Sequence, residues 1–154
     1  YTSNQSIWSR YDGSAIAGEE ATFAKSKLLM RLALLSSDES KPYFLDELKA
    51  GIESKIADVG AEIFKVRKNL DIPKKLAALN GFDMVFIAVL YQNENVELKV
   101  VVEKLADAEL EGVHIIKMIE RIELHEDYSE KELAELKDVM LSNAEELLIS
   151  EIMK

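Results

Sequence analysis

Residues 84–103 read Met84-Val85-Phe86-Ile87-Ala88-Val89-Leu90-Tyr91-Gln92-Asn93-Glu94-Asn95-Val96-Glu97-Leu98-Lys99-Val100-Val101-Val102-Glu103. The first eight are continuously apolar, which suits a central strand buried on both faces. Gln92 to Asn95 is turn chemistry. Val96, Leu98, Val100 and Val102 then alternate with Glu97, Lys99 and Glu103, the period-two pattern of a half-exposed strand rich in β-branched residues. The stretch predicts a β-hairpin over 83–103. The isoleucines of 113–124 suggest a third strand, although Ile115, Ile116, Ile119 and Ile122 also suit a helix stripe.

Helices are expected on both sides of this hairpin. Ser14 to Ser36 reads as one, capped by Ser14, with Glu19 and Glu20 near its positive end. Its second half is apolar nearly all round, so burial on more than one side is expected. Residues 42–70 carry the longest regular pattern. Leu45, Leu48, Ile52, Ile56, Val59, Ile63, Val66 and Leu70 are spaced by threes and fours, as on one helical stripe. Such a helix would have about 28 residues and run about 40 Å, more than a small core requires. Gly51 and Gly60 each cost about 1 kcal/mol against alanine in a helix, and either can mark a close approach or a break. A break near Gly60 opens Ala61 to Arg67 to a strand reading. Pro73 to Leu79 reads as a short helix stopped by Asn80-Gly81. Ser129-Glu130-Lys131-Glu132 is a capping box opening a final helix to the C-terminus.

The expected fold is therefore α+β: a small antiparallel sheet, hairpin 83–103 with a candidate strand at 113–124, packed against long helices from both ends of the chain. The expected organisation is an arm over residues 1–13, holding Trp8, followed by one globular domain over 14–154.

Composition narrows the function. The chain has 154 residues, 48% hydrophobic and 31% charged, which is globular rather than disordered. The absence of cysteine removes disulfides, thiolate metal sites and cysteine nucleophiles. No apolar run approaches the roughly 20 residues that span a bilayer. The first twenty residues show no apolar core behind a basic start, and a cytoplasmic location is expected. The net charge of −10 is confined to residues 94–154, which hold 17 acidic and 7 basic side chains. The preceding residues are balanced, with a basic cluster at Lys65, Arg67, Lys68, Lys74 and Lys75.

Catalytic motifs are sparse. Neither His114 nor His125 belongs to a metalloprotease motif, and Glu111-x-x-His114 has no second copy to build a di-iron site. No phosphate loop or nucleophile elbow occurs. No enzyme activity, cofactor or metal is expected on these grounds. The leading expectation is a non-catalytic assembly or adaptor subunit. It would bind a protein partner, or a second copy of itself, through Trp8 and the stripe Leu45, Leu48, Ile52, Ile56, Val59, Ile63 and Val66. A second expectation is an acidic inhibitor mimicking a polyanion with Glu120, Glu123, Glu126, Asp127, Glu130 and Glu135. A third is a regulatory or nucleic-acid-associated module using the basic cluster, which lacks interleaved aromatics.

Overall fold

The computed structural model describes residues 30–154. Strands β1 (Met30–Ser37), β2 (Val59–Val66), β3 (Met84–Tyr91) and β4 (Ile115–Arg121) form one sheet in the order β2-β1-β3-β4. Every neighbouring pair is parallel. Helices α1 (Leu45–Lys55), α2 (Ile72–Ala78), α3 (Val96–Leu110) and α4 (Glu130–Ile152) complete the described residues, with a 3₁₀ turn at Asn69–Asp71. This is an α/β fold with an all-parallel sheet. The antiparallel hairpin expected over 83–103 is absent.

The correction turns on Val96 to Leu110. The Asn95 side chain accepts a hydrogen bond from the Leu98 N–H at 2.8 Å and caps a helix there. Leu98, Val101, Leu105 and Ala108 recur at helical spacing, and Val101 and Leu105 are fully buried. Val96 and Val102, which the alternating pattern assigned to a buried strand face, are exposed. Valine is a mediocre helix former, but the shortfall is only a few tenths of a kcal/mol per residue. Burying one leucine recovers about 2 kcal/mol. Parallel neighbours also need a crossover of a dozen or more residues, and 92–114 supplies it. The third strand is present at β4, parallel to β3 rather than antiparallel.

The expected helices from the chain's first half are corrected as well. Residues 30–36 of the helix expected over 14–36 belong to β1, while 14–29 and the arm with Trp8 lie outside the described residues. Burial on both sides does hold there: Leu32 and Leu34 face one core, Ala33 and Leu35 the other. The single rod over 42–70 is broken in three. α1 ends at Lys55, the chain reverses through Asp58 in the left-handed region (φ 65°), and β2 begins at Val59. Gly60 lies inside the strand, two residues past Asp58, and β2 bears out the strand reading of Ala61 to Arg67 that a break near Gly60 opened.

Two cores result. α1 and α4 cover one face of the sheet, where Leu48, Ile52, Met140, Ala144 and Leu148 meet Leu34 and Phe86. α2 and α3 cover the other, where Ile72, Leu76, Val101 and Leu105 meet Leu35 and Ile87. Gly51 faces α4, where the Glu145 carboxylate occupies the space a Cβ at residue 51 would take. That Glu145 also pairs with Lys55 at 2.7 Å, and Lys137 pairs with Glu47 across the same helix contact. α4 opens with the expected capping box. Ser129 Oγ accepts from the Glu132 N–H, and Glu132 Oε1 accepts from the Ser129 N–H, each at 3.1 Å.

Candidate functional site

The strand order places β1 and β3 side by side although their outgoing connections diverge. From β1 the chain leaves over one face through α1 towards β2. From β3 it leaves over the other face through α3 towards β4. In open parallel sheets this topological switch point leaves a crevice beyond the carboxyl ends of the two strands, and ligands bind there.

The sequence lines that crevice with polar side chains. A cleft of about 280 Å³ opens between Glu39 and Lys41 after β1, Asn69 after β2, Tyr91 at the end of β3 with Gln92, Asn93 and Asn95 beyond it, and Ile122 and Leu124 after β4. Beneath it lies a hydrogen-bond network built on three buried serines. Ser36 Oγ donates to the Ala88 carbonyl at 2.8 Å, fastening β1 to β3. Ser37 Oγ and Ser40 Oγ both donate to Asn69 Oδ1, at 2.5 and 2.9 Å. Ser40 Oγ in turn accepts from the Leu90 N–H at 3.0 Å, and Ser37 Oγ from the Glu39 N–H at 3.1 Å. Glu39 closes the ring by accepting from the Asn69 N–H at 2.8 Å. Ser36, Ser37 and Ser40 are the buried polar residues of the described chain. Buried hydroxyls are costly unless satisfied, and a fully satisfied network holds its loops in one geometry.

Both Ser37 and Ser40 donate to a neutral amide rather than to a base, so neither hydroxyl is activated as a nucleophile. Among the described residues no three histidine or acidic side chains converge to hold a metal ion. What the cleft offers is recognition: amide groups with donors and acceptors, one carboxylate, one ammonium and the Tyr91 ring.

A larger groove of about 840 Å³ lies at the opposite, N-terminal edge, between α2 and α3. Size alone would favour it. The C-terminal cleft is the better candidate because buried polar groups hold its rim, whereas the charged groups around the larger groove stand in solvent.

The residues singled out by sequence pattern fall elsewhere. Leu45, Leu48, Ile52, Ile56, Val59 and Ile63 pack into the core under α1, and Val66 packs on the opposite face. The basic cluster is divided. Lys65 lies 4.2 Å from the Tyr43 ring centre and pairs with Asp38 at 3.2 Å. Lys75 sits over Phe64, which belongs to the other core. Arg67, Lys68 and Lys74 are exposed. The acidic residues of 120–135 run from the end of β4 into α4, with Glu123 paired to Arg121 at 3.4 Å. His114 pairs with Glu151 on α4 at 3.0 Å, and His125 packs edge-on against Tyr128. Glu151 is held below the usual carboxylate range by Lys154 first and His114 second.

The serines and amides of the cleft were missed by sequence reasoning. Ser36-Ser37-Asp38-Glu39-Ser40 reads as a helix break, and Gln92-Asn93-Glu94-Asn95 as a hairpin turn. Their meeting depends on β1 and β3 being parallel neighbours, which only the topology supplies. No helix among the described residues is long and apolar enough to cross a membrane. Comparison with protein-family models and with curated protein sequences finds no match.

Proposed function

We propose that this chain is a binding domain whose C-terminal cleft receives a small polar molecule. The observation that carries the reading is the Ser37–Ser40–Asn69 network at the switch point, anchored on two buried serines. It fixes the loops after β1 and β2 before any ligand arrives, and such preorganisation lowers the ordering cost of binding. Asn69, with its Oδ1 used by the two hydroxyls, retains its amide donors for a guest. Lys41 and Glu39 can each meet a complementary charge, and Tyr91 offers a ring face.

The test is an amide-resolved NMR titration with nucleosides, sugar phosphates and amino acids at millimolar concentration. Shifts confined to 37–41, 69 and 91–95 support the reading. Binding that maps elsewhere, or no binding from any of the three classes, overturns it.

A second reading, assembly with a protein partner or another copy of the chain, draws on one feature. Val102, Ala106 and Leu110 lie exposed at i, i+4 and i+8 along α3, with Val113 just beyond. Four-residue spacing aligns them on one helix face. Mass photometry of the full chain, with and without Leu110→Glu, tests it: a monomer in both cases removes the self-assembly version.

A further inference from the structure

We propose that the guest of the C-terminal cleft is a sugar phosphate, an inference that rests on the binding reading above and names its ligand class. The lining divides into groups left only to donate and groups able to accept. Asn69 Oδ1 is committed to the Ser37 and Ser40 hydroxyls at 2.5 and 2.9 Å, so its amide N–H groups are what it can give a guest. Asn95 Oδ1 is committed to the Leu98 N–H at 2.8 Å, and its amide is likewise left to donate. Lys41 adds an ammonium, which has no acceptor at all. A phosphate is the matching partner for three such groups, because its oxygens accept and its charge complements Lys41. On the accepting side, Glu39 Oε1 takes the Asn69 N–H at 2.8 Å and leaves its second oxygen, while Gln92 and Asn93 bring amide carbonyls. Sugar hydroxyls donate to groups of this kind. Tyr91, Ile122 and Leu124 supply apolar surface for the C–H faces of one ring.

The charges beside the cleft are already matched, so Lys41 and Glu39 set its field. Asp38 pairs with Lys65 at 3.2 Å, and Arg121 with Glu123 at 3.4 Å. Arg121 Nε also donates to the Gln92 carbonyl at 3.1 Å, and the Ile122 N–H to the Tyr91 carbonyl at 2.7 Å. Those two bonds hold the loop after β3, as the serines hold the loop after β1. Other small polar guests leave part of the lining unused. An amino acid answers Glu39 and Lys41 but has too few groups for the amides. A nucleoside has no anion for Lys41. A nucleotide supplies the anion, but it brings a base as well as a ribose. The cleft measures about 280 Å³, at the lower edge of the usual range for ligand pockets, which suits one ring and its phosphate.

Glucose-6-phosphate, glucose and inorganic phosphate, each titrated into the isotope-labelled full chain, test the inference. The ester should move the amide resonances of 37–41, 69 and 91–95 at concentrations about tenfold or more below either fragment, because both sets of contacts then act in one molecule. Lys41→Met keeps the aliphatic stem of an exposed residue and should weaken the ester about tenfold, the worth of one charge-assisted contact, while leaving glucose unchanged. Lys74→Met removes the same charge beside the groove at the other end of the sheet and should change neither. Inorganic phosphate that binds as tightly as the ester reduces the site to a bare anion site and overturns the proposal. Glucose that binds as tightly as the ester overturns it too, as does an ester affinity that survives Lys41→Met. Failure here is separable from failure of the cleft reading. Nucleosides or amino acids that move the same resonances at lower concentration reject the sugar phosphate and leave the cleft standing, whereas silence from every class removes both.

Discussion

The two ends of the parallel sheet are built on opposite principles. At the carboxyl end, three buried serines and Asn69 tie the loops after β1 and β2 to the backbone of β3 through satisfied hydrogen bonds. At the amino end, the fasteners are carboxylates: Asp83 holds the exposed Arg31 N–H, and Glu53, itself exposed, holds the Ala61 N–H at 2.8 Å. The smaller cleft lies over the rigid end and the larger groove beside the open one. The difference teaches that cavity size and preparedness to bind are separate properties. Bonds anchored on buried hydroxyls fix geometry more firmly than bonds to exposed carboxylates, because water competes for the latter.

Unequal costs of breaking the two ends would establish the comparison. Asn69→Leu removes the acceptor of two hydroxyls, one of them on a serine with no exposure, and should cost about 3 kcal/mol in urea unfolding. Ser40→Ala leaves the buried Leu90 N–H without its acceptor and should cost about 2 kcal/mol, with enhanced hydrogen exchange at Leu90. At the other end, Asp83→Ala should cost about 1 kcal/mol, since water replaces the lost acceptor of an exposed N–H. A loss from Asp83→Ala as large as that from Asn69→Leu would erase the distinction.

Glu53 sharpens it by pH. The Ala61 N–H first, and Lys49 second, hold its carboxyl below the usual range. A depressed carboxylate contributes stability above its unfolded pKa and loses that contribution as pH falls through the folded one. Glu53→Gln should therefore cost about 0.5 kcal/mol at neutral pH, discounted for its exposure, and the gap to wild type should close in acid. A gap that persists below the carboxylate range contradicts the ion's role. The Ser37–Ser40–Asn69 contacts involve no titrating side chain, so the Asn69→Leu deficit should remain across the same range.

Legibility in the sequence followed the locality of the signal. The capping box at Ser129 and the helix after it were readable, because a cap is satisfied within four residues. Met84 to Tyr91 was readable as a buried central strand, since all but Tyr91 are buried. Val96 to Leu110 was not. Its valines alternate for eight residues, but Leu105 and Ala108 continue the helical spacing, and the buried face follows that spacing. The stripe from Leu45 to Leu70 misled for a related reason. Steps of three and four persist across a helix, a turn and a strand. In a strand an even step keeps the face and an odd step changes it, so Val59 and Ile63 share a core while Val66 enters the other.

The chain's own residues determined where apolar segments lie, where Asn80-Gly81 and Ser129 punctuate them, and that the acidic excess gathers after residue 93. Gly81 indeed turns with φ 82°, a conformation open to glycine without a Cβ penalty. Tertiary structure alone decided that β1 lies between β2 and β3 and runs parallel to both. That choice turned 96–110 into a crossover and brought Ser37, Ser40 and Asn69 to one point. The physical reason is range. Caps and turns are satisfied by neighbours along the chain, whereas strand direction is set by which distant backbones satisfy each other's hydrogen bonds.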